Sequence, residues 1–153
     1  MAFTLLLGMV GTASAQTVTQ DVTIIVASIS VLSVSAGTVS MTINTATPGS
    51  NPTDATDSAT SYALTTNGSG KKLTAKIGVA YATGISLALN LTAPSGGTSL
   101  GSKTLTTTDQ DMVTGLSNLA ESGVGISYTA SATPSAAPNG AGEVQTVTLT
   151  LTN

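Results

Sequence analysis

Few residues in this chain have types and spacing suited to chemistry, and two acidic residues are the first candidates. Asp109 and Asp111 lie two residues apart in the stretch TTTDQDM, where their carboxylates could contribute to a calcium site. Calcium takes about six to eight oxygen ligands, usually from several carboxylates. Asp54 and Asp57 could complete such a site only if the fold brought them close, so a solvated loop is the simpler interpretation.

Ser69 and Lys72 have the Ser-x-x-Lys spacing of certain acyl enzymes, which place the motif at the start of a helix. Here the stretch NGSGKK is typical of a turn, and the partner motifs of those enzymes are missing. The chain has no His and no Cys, which excludes the commonest acid–base residue and all thiolate chemistry. We therefore expect no enzymatic activity, no catalytic residue and no cofactor, and a small hydrolase ranks last among the functions considered.

The composition indicates one domain with an unusual surface. A chain of 153 residues is long enough for a single domain with its own core. Charged residues make up only 7% of it, against about 25% in typical proteins, so Thr and Ser hydroxyls must provide solubility. The net charge is −3 and Arg is absent, whereas nucleic acids and anionic membranes require clustered basic residues. We expect neither as a partner.

The first residues predict a secretory signal peptide over residues 1–15. Ala2–Val10 is mostly apolar, and Ala13-Ser14-Ala15 follows with the small-x-small pattern of a cleavage site. The apolar run is shorter than the roughly 20 residues of a membrane-spanning helix. No Lys or Arg precedes it, so an ordinary buried strand is the alternative. Cleavage after Ala15 would leave a secreted, extracellular or cell-surface domain of residues 16–153.

Alternation of apolar and polar residues with a period of two dominates the remaining sequence and predicts β-strands. It is most regular around Leu87 and Leu89, which we expect in the core of a central strand. Val39, Met41 and Ile43 predict another strand. With about eight or nine such segments and frequent turn residues, the chain is predicted to be an all-β antiparallel sandwich, immunoglobulin-like or jelly-roll-like.

Three connections follow from the turn residues. Asn67–Gly70 (NGSG) predicts a hairpin, because Asn-Gly accepts positive φ angles. The stretch SNLAESG, residues 117–123, predicts at most one helical turn. The closing segment Gly142–Thr152 is expected to form an antiparallel pair with the strand around Val124–Tyr128.

Two further sets of residues concern the surface. Asn67 and Asn90 each begin a glycosylation sequon, although such triplets arise easily in a Thr-rich chain. Three tyrosines are expected at the margin of the core with their hydroxyls in water, and these are Tyr62, Tyr81 and Tyr128.

The segment Gln16–Val26 has one apolar face and is set apart from the next strand. The alternation slips at Ala27-Ser28, and such a slip reverses the face that is buried. The apolar residues of the segment that share one parity are Val18, Val22, Ile24 and Val26.

The stretches QTVTQDVTIIVASISVLSVS and EVQTVTLTLTN resemble those of secreted bacterial and archaeal surface β-domains, including pilin-like filament subunits that assemble by donor-strand exchange. The resemblance implies a non-enzymatic structural protein that associates with copies of itself in a filament or surface layer. A strand of one molecule then completes the open sheet of its neighbour. Gln16–Val26 would be the donor, and the strand around Val147–Leu151 the acceptor edge. The alternative is a monomeric secreted binding or adhesion domain in which Gln16–Val26 pairs within its own sheet.

Overall fold

The computed structural model describes residues 14–153, and nine β-strands lie within this range. The predicted signal peptide, residues 1–15, lies almost wholly outside the described residues and stays a prediction. The strands are β1 (Ser30–Val34), β2 (Ala55–Thr66), β3 (Lys71–Ile77), β4 (Ile85–Leu91), β5 (Thr98–Ser99), β6 (Lys103–Thr104), β7 (Gln110–Leu116), β8 (Leu119–Ala132) and β9 (Val147–Thr152).

The strands form two antiparallel sheets. The five-stranded sheet has the order β1-β2-β8-β4-β6, and the four-stranded sheet has the order β5-β7-β3-β9. The predicted all-β class, with two antiparallel sheets in a sandwich-like arrangement, is therefore confirmed. Residues 14–153 contain no helix that is long and apolar enough to cross a membrane.

One hydrophobic core lies between the two sheets, because alternate residues of each strand point inward. Leu89 is completely buried in β4 and Leu87 is nearly so, which confirms the prediction that both belong to the core. The other fully buried large side chains come from both sheets and are Tyr62, Leu73, Leu91, Met112, Val113, Leu116 and Ile126.

Two predicted pairings are wrong. The closing strand β9 pairs with β3, since β8 already has β2 and β4 as its two neighbours. The NGSG stretch forms no hairpin, because β2 before it and β3 after it belong to different sheets. Gly70 in this connection has a φ of +66°, so the glycine serves a turn that carries the chain from one sheet to the other.

Two local assignments also differ from the sequence prediction. Val39, Met41 and Ile43 lie in no strand, because this segment pairs with no strand within residues 14–153. The stretch 117–123 forms no helical turn, since β8 begins at Leu119. Asn118 reverses the chain there with a φ of +46°, a conformation that asparagine adopts more readily than most residues.

The two sides of the sandwich are different. On one side the outermost strands, β5 and β6, have only two residues each. Side chains also connect the sheets there: the Lys103 Nζ donates to the Asp111 backbone oxygen at 2.7 Å, and Gln110 Nε2 donates to the Thr104 oxygen at 3.0 Å. On the other side the outermost strands are β1 and β9, with five and six residues. Among the described strands, the two long edges without a further partner therefore lie on the same side.

Candidate functional site

The segment before β1 projects from the domain and is named the arm here, residues 16–26. Every residue from Ser14 to Ser28 is exposed and none belongs to a strand. The four predicted assembly residues are between 73% and 88% exposed. Ile25, on the opposite face, is also 88% exposed. Exposed apolar residues in series typically mark an interaction surface.

Asn67 holds the chain at the base of the arm. Its Nδ2 donates to the Ala27 backbone oxygen at 2.7 Å, and its Oδ1 accepts from the Ile29 backbone N–H at 2.7 Å. The Asn67 backbone N–H also donates to the Ile29 oxygen at 3.3 Å. These contacts fall at the predicted phase slip at Ala27-Ser28, so the arm leaves the sheet at the point where the alternation changes.

A groove of about 540 Å³ opens between β1 and β9, and it is named the edge groove here. The two edge strands contribute apolar side chains to it, and β4 and β8 contribute Leu87 and Ile126 from the core. The segment after β1 passes alongside. The further apolar residues that line the groove are Leu32, Val34, Ala36, Val39, Met41, Val144, Val147 and Leu149.

Incomplete burial of inward-facing residues indicates that the core is open at this groove. Val34 lies opposite the buried Tyr62 in the sheet, yet it remains 48% exposed. Val147, Leu149 and Leu151 pack against the core but are only partly buried. The predicted acceptor segment Val147–Leu151 thus lies at a sheet edge, where its outer backbone groups face the groove side rather than another strand.

One polar atom in the groove lacks a partner. The Thr60 side chain is only 8% exposed and lines the groove, and its Oγ1 makes no hydrogen bond within the described part of the chain. Thr60 directly follows an irregularity in the pairing of β2 with β8. A buried hydroxyl without a partner carries a desolvation cost, and proteins seldom keep one without a reason.

The tyrosines occupy two kinds of environment. Tyr62 is 1% exposed and its hydroxyl donates to the Thr92 backbone oxygen at 2.6 Å, so the expectation of a water-facing hydroxyl is wrong for this residue. Burial, with a smaller contribution from Glu121, raises the pKa of Tyr62. Tyr81 and Tyr128 are partly buried at the groove, and burial raises the pKa of each.

The acidic residues proposed for calcium are held by lysines. Asp111 lies 2.9 Å from the Lys72 Nζ, and Asp109 lies 3.1 Å from the Lys76 Nζ. No cluster of three or more acidic residues occurs in residues 14–153, so Asp54 and Asp57 do not join this pair. These ion pairs satisfy the two carboxylates and oppose the calcium interpretation.

The Ser-x-x-Lys stretch forms no catalytic arrangement. Ser69 is exposed in the connection between the sheets, and Lys72 is engaged with Asp111. Of the two sequons, Asn90 is exposed on β4, whereas the Asn67 side-chain nitrogen is committed to the base of the arm. A glycan on Asn67 would compete with that contact.

A second depression, of about 570 Å³, lies on the outer face of the five-stranded sheet. It is more open than the edge groove and exposes few apolar side chains apart from Val31. The exposed arm and the edge strand β9 both lie where the sequence pattern predicts them, whereas Thr60 and the contacts of Asn67 are not predicted. Thr60 shares the parity of Tyr62 and Leu64, but a threonine in a Thr-rich strand gives no sign of burial by its type, and the sequence marks Asn67 only as a turn residue and the start of a sequon.

Comparison with known proteins found no match: no protein family model, no curated protein and no solved structure matches the chain.

Proposed function

We propose that this protein is a secreted, non-enzymatic structural subunit that assembles with copies of itself by β-strand complementation into a pilin-like filament or surface layer. The arm of one molecule enters the edge groove of the next and pairs with an edge strand. The observation that carries the proposal is the coexistence, in one chain, of an exposed apolar arm and an open groove between two unpaired sheet edges.

The position of the arm favours exchange between molecules over insertion into its own groove. The arm leaves the domain beside Ser30, at the first residue of β1, while the groove extends past Val34, at the last. To enter its own groove, the arm would have to reverse at Ala27–Ile29. Asn67 holds that backbone by hydrogen bonds on both sides of Ser28, and these oppose the reversal.

Directional assembly follows from this geometry. The donor and the acceptor are different surfaces at opposite ends of β1, so each contact leaves one free arm and one free groove. Such head-to-tail contacts generate open chains when they do not close into a ring. This supports a filament rather than a two-fold dimer.

The free energy gained by burying the arm can offset the cost of association only if the arm fits the groove well. Burying four Val or Ile side chains gives roughly 6–12 kcal/mol gross. Association costs about 4–15 kcal/mol. Main-chain hydrogen bonds along the edge of β9 therefore decide whether the complex is stable, as in other cases of strand addition.

Electron microscopy of the secreted protein tests the proposal. Wild type should form filaments or a regular layer, and Ile24→Asp should remain dispersed, because a charge cannot be buried unpaired in the groove. Ile24 is 82% exposed in the free domain, so the substitution leaves folding unaffected. Thr23→Asp is the matched control, since it adds the same charge on the opposite face and should still assemble. A strictly monomeric wild type would instead favour a monomeric binding or adhesion domain.

A further inference from the structure

Resting on the proposed function, we propose that Gln20 of the arm forms a hydrogen bond with Thr60 in the edge groove of the neighbouring molecule, and that this contact sets the register of the inserted strand.

The described part of the edge groove contains one buried hydroxyl without a partner. Thr60 Oγ1 is buried and unpartnered in the free domain, and its side chain lines the groove. Other polar side chains nearby differ from it: Gln145 Nε2 donates to Glu143 Oε1 at 3.2 Å, and Tyr81 and Tyr128 are only partly buried. Within the described chain, Thr60 Oγ1 is thus the one buried side-chain atom of the groove that lacks a hydrogen-bond partner and would gain one from an inserted strand.

The arm carries a polar residue on its apolar face. Gln20 shares the parity of the apolar assembly residues and lies between Val18 and Val22, whereas Gln16, the other polar residue of this parity, lies at the end of the arm. Seating that face in the groove also carries the Gln20 amide inward. An amide buried without a partner is costly, whereas a threonine hydroxyl can both donate to it and accept from it.

Together these features distinguish one register from its neighbours. A shift of one residue would turn the apolar face of the arm outward. A shift of two residues keeps the face but moves Gln20 by about 7 Å along the groove, away from Thr60, and leaves Thr60 unpaired. A single buried polar residue specifies register in this way in coiled coils, at some cost in stability.

A pair of complementary chains isolates one donor–acceptor contact. The full chain with Ile24→Asp keeps its groove but cannot donate. The full chain with Val34→Asp, at a groove residue that is 48% exposed, keeps its arm but cannot accept. Mixed together they should form only a one-to-one heterodimer, whose dissociation constant can be measured by sedimentation with one chain labelled.

The test is a double-mutant cycle across that heterodimer. Thr60→Val in the acceptor should weaken binding of the Gln20 donor by about 5- to 100-fold, because Gln20 loses its partner in a buried site. A donor with Gln20→Leu should bind the Thr60→Val acceptor at least as tightly as it binds the acceptor that keeps Thr60. Thr60→Ser should retain the affinity, since it keeps the hydroxyl. A donor with Thr19→Leu, on the outward face, should remain as sensitive to Thr60→Val as the unaltered donor.

The outcomes separate the inference from the proposed function. If Thr60→Val weakens the Gln20 and Leu-substituted donors alike, or weakens neither, strand exchange stands and the Gln20–Thr60 contact is overturned. If no combination of chains forms a heterodimer while each domain is folded, the proposed function fails and the contact fails with it.

Discussion

The Oδ1 atom of Asn67 accepts a hydrogen bond of 2.7 Å from the backbone N–H of Ile29, across 38 residues of sequence. Through this contact the end of β2 holds the residue that precedes β1. The same side chain binds Ala27 on the arm side, so one asparagine sets the direction in which the arm leaves the domain.

Replacing this asparagine should loosen the base of the arm without unfolding the domain. In Asn67→Ala the Ile29 amide should exchange its hydrogen faster, and the free energy of unfolding should fall by about 1 kcal/mol, because the lost bonds are exposed to solvent. Amide hydrogen exchange and chemical denaturation measure the two effects. Asn90→Ala, at the exposed asparagine of β4, is the control and should change neither. Unchanged protection of Ile29 in Asn67→Ala would show that the contact has no role.

The core prediction concerns Leu89, which is completely buried in β4. Leu89→Ala should lower the free energy of unfolding by about 2–5 kcal/mol, since it removes buried methyl groups and leaves a cavity. Val79→Ala is the matched control: Val79 is 64% exposed, so its loss should stay within about 0.5 kcal/mol. A loss well below 1 kcal/mol for Leu89→Ala in denaturant titration would be inconsistent with this core.

Alkaline pH should destabilise the domain through Tyr62. Its pKa lies above the ordinary value of 10.0 because burial favours the neutral phenol, so the folded state retains a proton that the unfolded state loses first. The stabilisation is complete below about pH 10 and declines as pH rises above it, by up to about 1.4 kcal/mol per pH unit for one group. Tyr81 and Tyr128 act in the same direction.

Tyr62→Phe separates the contribution of Tyr62 to alkaline destabilisation from the contributions of Tyr81 and Tyr128. The variant should lose about 1 kcal/mol at neutral pH with the hydrogen bond to Thr92, and should show a shallower decline in alkali. Unfolding titrations at several values between about pH 9 and pH 12 measure both quantities. An equal alkaline slope in wild type and Tyr62→Phe would exclude Tyr62 as the source.

Calcium should have no specific effect on stability. Asp109 and Asp111 are each paired with a lysine, and a site built from them alone would have too few oxygen ligands. The melting temperature should be the same with calcium and with a chelator. A calcium-dependent rise that disappears in Asp109→Asn or Asp111→Asn would restore the calcium hypothesis.

The outcome for individual residues shows how far the sequence can be interpreted. Leu87 and Leu89 were predicted correctly because strand alternation is a local property, visible without knowledge of the neighbours. The Asn67–Gly70 turn was recognised, but turn residues do not tell which sheet receives the next strand. Val39–Ile43 alternates like a strand and yet has no partner, since pairing depends on which edges the rest of the fold leaves accessible.

The candidate site also has a part that the sequence predicts and a part that it does not. The amphipathic arm and the phase slip at its base are formed by consecutive residues, so both could be identified from the sequence. The groove consists of residues drawn from β1, β2, β4, β8 and β9 and from the segments beside them. Thr60 shares the parity of Tyr62 and Leu64, but its burial depends on the strands that come together around it, and the residue type does not indicate it.

An engineered disulfide tests directly whether the arm of one molecule enters the edge groove of another. The chain has no Cys, so introduced thiols are unambiguous. One chain carries Thr23→Cys on the outward face of the arm, and a second, of different mass, carries a cysteine in turn at exposed Thr146, Thr148 or Thr150 beside the groove. A disulfide forms only when the Cα atoms are within about 7 Å, which matches neighbouring strands. We expect a cross-linked dimer that contains one chain of each mass, with the highest yield at one of the three positions. If no position yields a mixed dimer under oxidising conditions and both chains remain monomeric, the arm does not enter a neighbour's groove.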